Sequence, residues 1–142
     1  MQVSQLESLK RALNGLSKKG YIDKDTMKEA LERGGEFNYI DVSSGMKIDF
    51  WILRKDEPFD VSRMRRRVPK KMRDYDVYFS APEDLILIKL RWFKESQSER
   101  QRDDIESIFK ISGNVLERDY LYEWAEKLDV VKELKAIEEN QF

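Results

Sequence analysis

Three side chains sit where their types are out of place, and together they could do chemistry. Asp49 lies in the middle of KIDFWILR, where alternation predicts a β-strand. That strand puts Met46, Ile48, Phe50 and Ile52 on one face and Lys47, Asp49, Trp51 and Leu53 on the other. Lys89 falls inside DLILIKLRWF, which is apolar nearly all round and predicts a central buried helix. Asp104 lies one turn before Ile108, at the edge of the stripe formed by Ile105, Ile108 and Phe109. Ionised groups are rarely buried without partners, so a common cluster would satisfy all three. Carboxylates around a lysine suit phosphoryl or nucleotidyl transfer, in which acids hold Mg²⁺ and the ammonium meets phosphate oxygens. A structural ion-pair network reads the same way. So do an exposed sheet face pairing Asp49 with Lys47, and a Lys89 that snorkels to water.

A second candidate is the one concentrated run of positive charge, SRMRRRVPKKMR, which holds Arg63, Arg65, Arg66, Arg67, Lys70, Lys71 and Arg73. Such a patch can hold phosphates even on a near-neutral protein. Its plainer reading is a solvated loop or edge whose charges discourage strand pairing. Aromatic residues of the kind that stack on bases are missing inside the run itself.

Composition narrows the remaining chemistry. Charged residues make up 39% of the 142, yet 27 Lys and Arg against 28 Asp and Glu nearly cancel, so a global basic field for nucleic acid is absent. Without Cys there is no disulfide, thiolate ligand or thiol nucleophile, and without His the commonest general base and zinc ligand is gone. Carboxylates, Lys, Arg and hydroxyls are what is left. The longest apolar run is short and the N-terminus polar, so neither a membrane span nor a signal peptide is expected, and the expected location is cytoplasmic.

The elements that must position these residues follow from periodicity and punctuation. A helix is predicted from about Ser4 to Lys18 on the stripe Leu6, Leu9, Leu13 and Leu16, with Gly20 as its C′ residue. Asp23 or Asp25 caps a shorter helix that ends at Gly34-Gly35. Residues Glu36 to Arg54 read as a β-hairpin turning at Ser43, Ser44 and Gly45. Asp76 to Ser80 reads as a third strand. Ser80 with Pro82, Glu83 and Asp84 then reads as a capped helix start leading into the buried helix. Ser98 caps the next helix, and two more close the chain, one on Leu121, Trp124, Ala125 and Leu128, the other on Val131, Leu134 and Ile137. The expectation is a single α+β domain over 1–142, with an α/β core over 1–80 and a helical part over 81–142.

The ordered segments FNYID, KIDFWILR, FSAPEDLILIKLRWFK, SERQRDDIESI and DYLYEWAEKL resemble the uncharacterised prokaryotic branch of the nucleotidyltransferase superfamily, which is related to nucleotidyltransferase toxins of abortive-infection systems. The resemblance spans roughly residues 20 to 135. It implies a small mixed sheet flanked by helices with a helical C-terminal part, and Mg²⁺-dependent nucleotidyl transfer from a nucleoside triphosphate. By that similarity Asp49 is the third metal carboxylate, and Lys89 and Asp104 are catalytic. Lys47 and Arg100 lie beside them as nucleotide contacts. In the family a Gly-Ser turn and an Asp-x-Asp strand precede the first helix, but here the chain opens on that helix. Asp23 and Asp25 have the spacing of the pair but read as a helix cap. The resemblance therefore implies an incomplete site with weak or absent Mg²⁺ binding, and an uncovered sheet that a second copy would cover as a homodimer. The alternative is a non-catalytic module whose 63–73 block, with Arg65, Arg66, Arg67, Lys70 and Lys71, grips RNA, a nucleotide or an acidic protein partner.

Overall fold

Asp41 closes the first hairpin. Its Oδ1 accepts from the Ser43 and Ser44 hydroxyls (2.6 and 2.8 Å) and from their backbone N–H groups (3.1 and 2.8 Å). These bonds, that of Ser43 first, hold the Asp41 carboxyl well below the usual carboxylate range. Gly45 supplies the left-handed φ of 70° that the turn needs. The sequence pattern locates this turn, while the residue that organises it is the acid just before the serines.

The computed structural model describes Arg11, Ala12, Gly15 and residues 20–139, so the helix predicted over Ser4 to Lys18 lies outside the described residues but for those three. The fold is α+β. Two compact units divide between Val61 and Ser62.

In the first unit, β1 (Gly20–Ile22), β2 (Gly35–Asp41) and β3 (Lys47–Ile52) form an antiparallel sheet in that order. Helix α1 (Lys24–Arg33) packs on one face of it, capped by Asp23, whose carboxylate accepts from Thr26 N–H. Ile22, Ala30, Phe37 and Tyr39 make the core, with Met27, Phe50 and Ile52 against it, and Phe37 and Phe50 stack across the strands at 5.0 Å. The alternation of β3 therefore runs as expected for Phe50 and Ile52. Met46 and Ile48, predicted on the same face, lie nearer the turn and remain exposed. Gly20, expected to end a helix in the left-handed region, instead begins β1, paired with Asp41. A Cβ there would stand 2.3 Å from the Ile40 carbonyl oxygen, so close approach is what requires glycine.

Helix α2 (Pro58–Arg66) contains the boundary between the units. In the second unit, β4 (Val68–Met72) and β5 (Tyr75–Phe79) form a separate two-stranded ribbon, followed by α3 (Pro82–Ser96), α4 (Glu99–Ser112), α5 (Arg118–Lys127) and α6 (Val131–Glu139). The third strand read from Asp76 to Ser80 thus exists as β5, but its partner is the basic run itself and not the first hairpin. All pairings among the described residues are antiparallel, where the resemblance implies a mixed sheet. Helices α3 to α6 pack around Ile86, Leu87, Leu90, Ile105, Leu121, Ala125, Leu134 and Ile137, all essentially inaccessible to water. Each large aliphatic among them contributes about 1.5–3 kcal/mol by burial. Among the described residues no helix is long and apolar enough to cross a membrane.

The start of α3 departs from the expected cap. Ala81 occupies the N-cap position, Pro82 opens the helix, and Ser80 lies one residue too far upstream to cap it. Glu83 and Asp84, read as part of the capped helix start, are buried.

Candidate nucleic-acid interface

The structure brings together two of the three residues singled out as candidate catalytic groups. Lys89 of α3 donates to Asp104 Oδ2 of α4 at 2.6 Å and to Gln101 Oε1 at 3.3 Å. That bond, together with the charges of Lys89 and the neighbouring Arg100, holds the Asp104 carboxyl below its ordinary range. The lysine is largely covered, with 15% of its side chain accessible, against 44% for Asp104, so one end of the pair is wet. Asp49 belongs to the first unit, where its partner is the neighbouring Lys47 at 3.2 Å and about half of its side chain faces water. That is the geometry of the exposed-sheet reading. Asp49 was also the proposed metal ligand, yet an ammonium is its ionic partner. Among the described residues no group of three or more Asp or Glu side chains is gathered where it could hold a metal ion.

Arg66, predicted to bind phosphate, is already spent on carboxylates. Its Nη2 donates to Glu83 Oε2 at 3.0 Å and Glu117 Oε1 at 3.2 Å, and its guanidinium lies 3.8 Å from the Tyr120 ring centroid. Arg66 Nε and Asp84 Oδ2, the two atoms of this cluster left without a hydrogen bond, face one another at 3.6 Å. Tyr120 donates to Asp84 Oδ1 at 2.7 Å and meets the Ser62 hydroxyl at 2.9 Å, while Glu83 Oε1 accepts the Glu117 backbone N–H at 2.8 Å. Burial pushes the Asp84 carboxyl up and raises the Tyr120 hydroxyl to about 12. None of Ser62, Glu83, Asp84, Glu117 or Tyr120 was read as functional from the sequence. One signal was available: the buried stripe Ile86, Leu87 and Leu90, extended back one turn, lands on Glu83.

The cluster ties together the roots of the ribbon. Arg66 precedes β4 by two residues, and Glu83 and Asp84 follow β5 by four and five. The ribbon between them, over 68–79, packs extensively only on itself among the described residues. Arg73 takes a left-handed φ of 54° at its turn. Arg65, Lys70, Lys71 and Arg73 are exposed and have no ion-pair partner among the described residues. Arg67 lies over the Tyr78 ring, 4.6 Å from its centroid. Pairing adds what the basic run lacks as a linear segment. Val68 faces Phe79, Pro69 faces Tyr78 and Met72 faces Tyr75, so β5 sets aromatic rings beside the cations of β4. Comparison of the chain with protein families, curated proteins and solved structures returns no match.

Proposed function

We propose that this protein is a nucleic-acid-binding module whose β4–β5 ribbon grips the phosphate backbone. The observation that carries the reading is a two-stranded ribbon exposed along its length, with Lys70 and Lys71 in no ion pair among the described residues, although Asp76 stands across from Lys71, and with Tyr75, Tyr78 and Phe79 beside them. A two-stranded ribbon is one of the elements that enters a nucleic-acid groove or supports bases. Exposed ammonium groups held in no ion pair among the described residues are free to displace counterions from phosphates. Joint replacement Lys70→Ala and Lys71→Ala is expected to weaken RNA binding and to flatten the plot of log affinity against log salt by about 1 to 2 units. An unchanged salt slope contradicts the reading.

A second reading follows the resemblance to nucleotidyltransferases, with a site left incomplete. Its support is the Lys89–Asp104 pair on adjacent helices. Incubation with labelled nucleoside triphosphates, Mg²⁺ and a tRNA pool is expected to give no labelled product. Labelling abolished by Asp49→Ala would reverse that expectation.

A further inference from the structure

The two faces of the ribbon differ. Cross-strand partners share a face, so Val68, Phe79, Lys70, Val77, Met72 and Tyr75 line one side. Along β5, Tyr75 and Phe79 stand four residues apart, about 13 Å, with Val77 midway and Lys70 opposite it. Both rings are open to water, Tyr75 at 75% and Phe79 at 47% accessibility. An exposed apolar face of this kind, on a ribbon that packs extensively only on itself among the described residues, marks a surface with a partner.

We propose that this face binds single-stranded nucleic acid, with bases stacked on Tyr75 and Phe79 and the intervening phosphate held by Lys70. The proposal rests on the reading of the ribbon as a nucleic-acid surface, and adds to it the strandedness of the ligand. Unpaired bases present π faces to such rings, whereas bases within a duplex are covered by their neighbours. The charge pattern favours this occupant over a second copy of the chain. Pairing β4 with its own copy sets Lys70 and Lys71 near their equivalents and meets Pro69, which has no N–H to give. Pairing β5 with its copy in parallel register sets Asp76 against Asp76. Stacking two such faces together buries Lys70 against Lys70. A polyanion that carries flat apolar groups matches both the lysine and the rings.

Fluorescence anisotropy of the full chain with a labelled oligouridylate and with duplex RNA of equal length provides the test. The single strand is expected to bind more tightly. Tyr75→Leu and Phe79→Leu, which keep apolar bulk without a flat ring, are each expected to weaken it by about tenfold. Tyr75→Phe is expected to retain the affinity, and none of these variants should alter binding of the duplex. Duplex RNA bound as tightly as the single strand, with the ring variants silent and Lys70→Ala still weakening both, overturns the stacking proposal and leaves the phosphate-binding reading intact. No binding of either RNA defeats that reading as well. Concentration-dependent self-association lost in Tyr75→Leu gives the face to a second copy and overturns the proposal.

Discussion

Replacing Arg66 with methionine is expected to destabilise the second unit by about 3–5 kcal/mol, the cost of removing one partner from a buried ionic cluster. The side chain is mostly covered, at 23% accessibility, and the acids it serves are more so, Glu83 at 4% and Asp84 at 0%. Without the guanidinium, the Glu83 carboxylate keeps the Glu117 backbone N–H, and Asp84 keeps the Tyr120 hydroxyl and the more distant charge of Arg63. Glu117 is two-thirds exposed and adds little to the sum. Because the cost is that of orphaned acids, adding Glu83→Gln and Asp84→Asn to Arg66→Met should recover much of it. Hydrogen exchange at the α3 amides reads the effect within the second unit. A loss below about 1 kcal/mol means that Arg66 is a solvated cation after all. Because the cluster joins the residues that flank β4 and β5, the ribbon amides should also exchange faster in Arg66→Met.

In the first unit, Gly20→Ala is expected to cost about 1–3 kcal/mol through overpacking. The added Cβ meets the Ile40 carbonyl oxygen at 2.3 Å and the Tyr39 ring at 2.4 Å. The carbonyl is backbone in the central strand of the sheet and cannot turn aside. The Tyr39 ring is buried in the core, with its hydroxyl donating to Asp41 at 3.2 Å. Gly15→Ala is the matched control, since none of the described residues lies within 4 Å of its Cβ position, and helix propensity then favours alanine. Thermal unfolding of the two variants should separate them, and an equal midpoint would place the strain elsewhere.

These two residues also mark how far the sequence could be read. The hairpin from Glu36 to Arg54 was legible because its turn formers and alternation are local, and so was α3, whose apolar run admits no other element. β1 escaped because three residues, Gly20 to Ile22, carry no period of their own and become a strand only by pairing with β2. β4 escaped for a different reason. VPKKM combines a proline with two lysines, which argues against a strand, and the ribbon tolerates them because among the described residues neither side of it joins a larger sheet. Of the three residues expected to cluster, Lys89 and Asp104 do meet, and they were legible because one is a charge inside an apolar helix and the other a charge at the edge of an apolar stripe. The Arg66 cluster was not. Acids in a first helical turn read as partners of the helix dipole, and only the path of the ribbon, which returns the chain to its starting point, puts Arg66 beside them.

The central claim is that the β4–β5 ribbon is the surface that meets nucleic acid. Backbone amide shifts followed while a single-stranded oligoribonucleotide is titrated into the labelled chain address it residue by residue. The account predicts saturable shifts concentrated over residues 65–79, Lys70, Tyr75 and Phe79 among them. Shifts centred instead on the Lys89–Asp104 pair or on the first unit, with the ribbon silent, would contradict it.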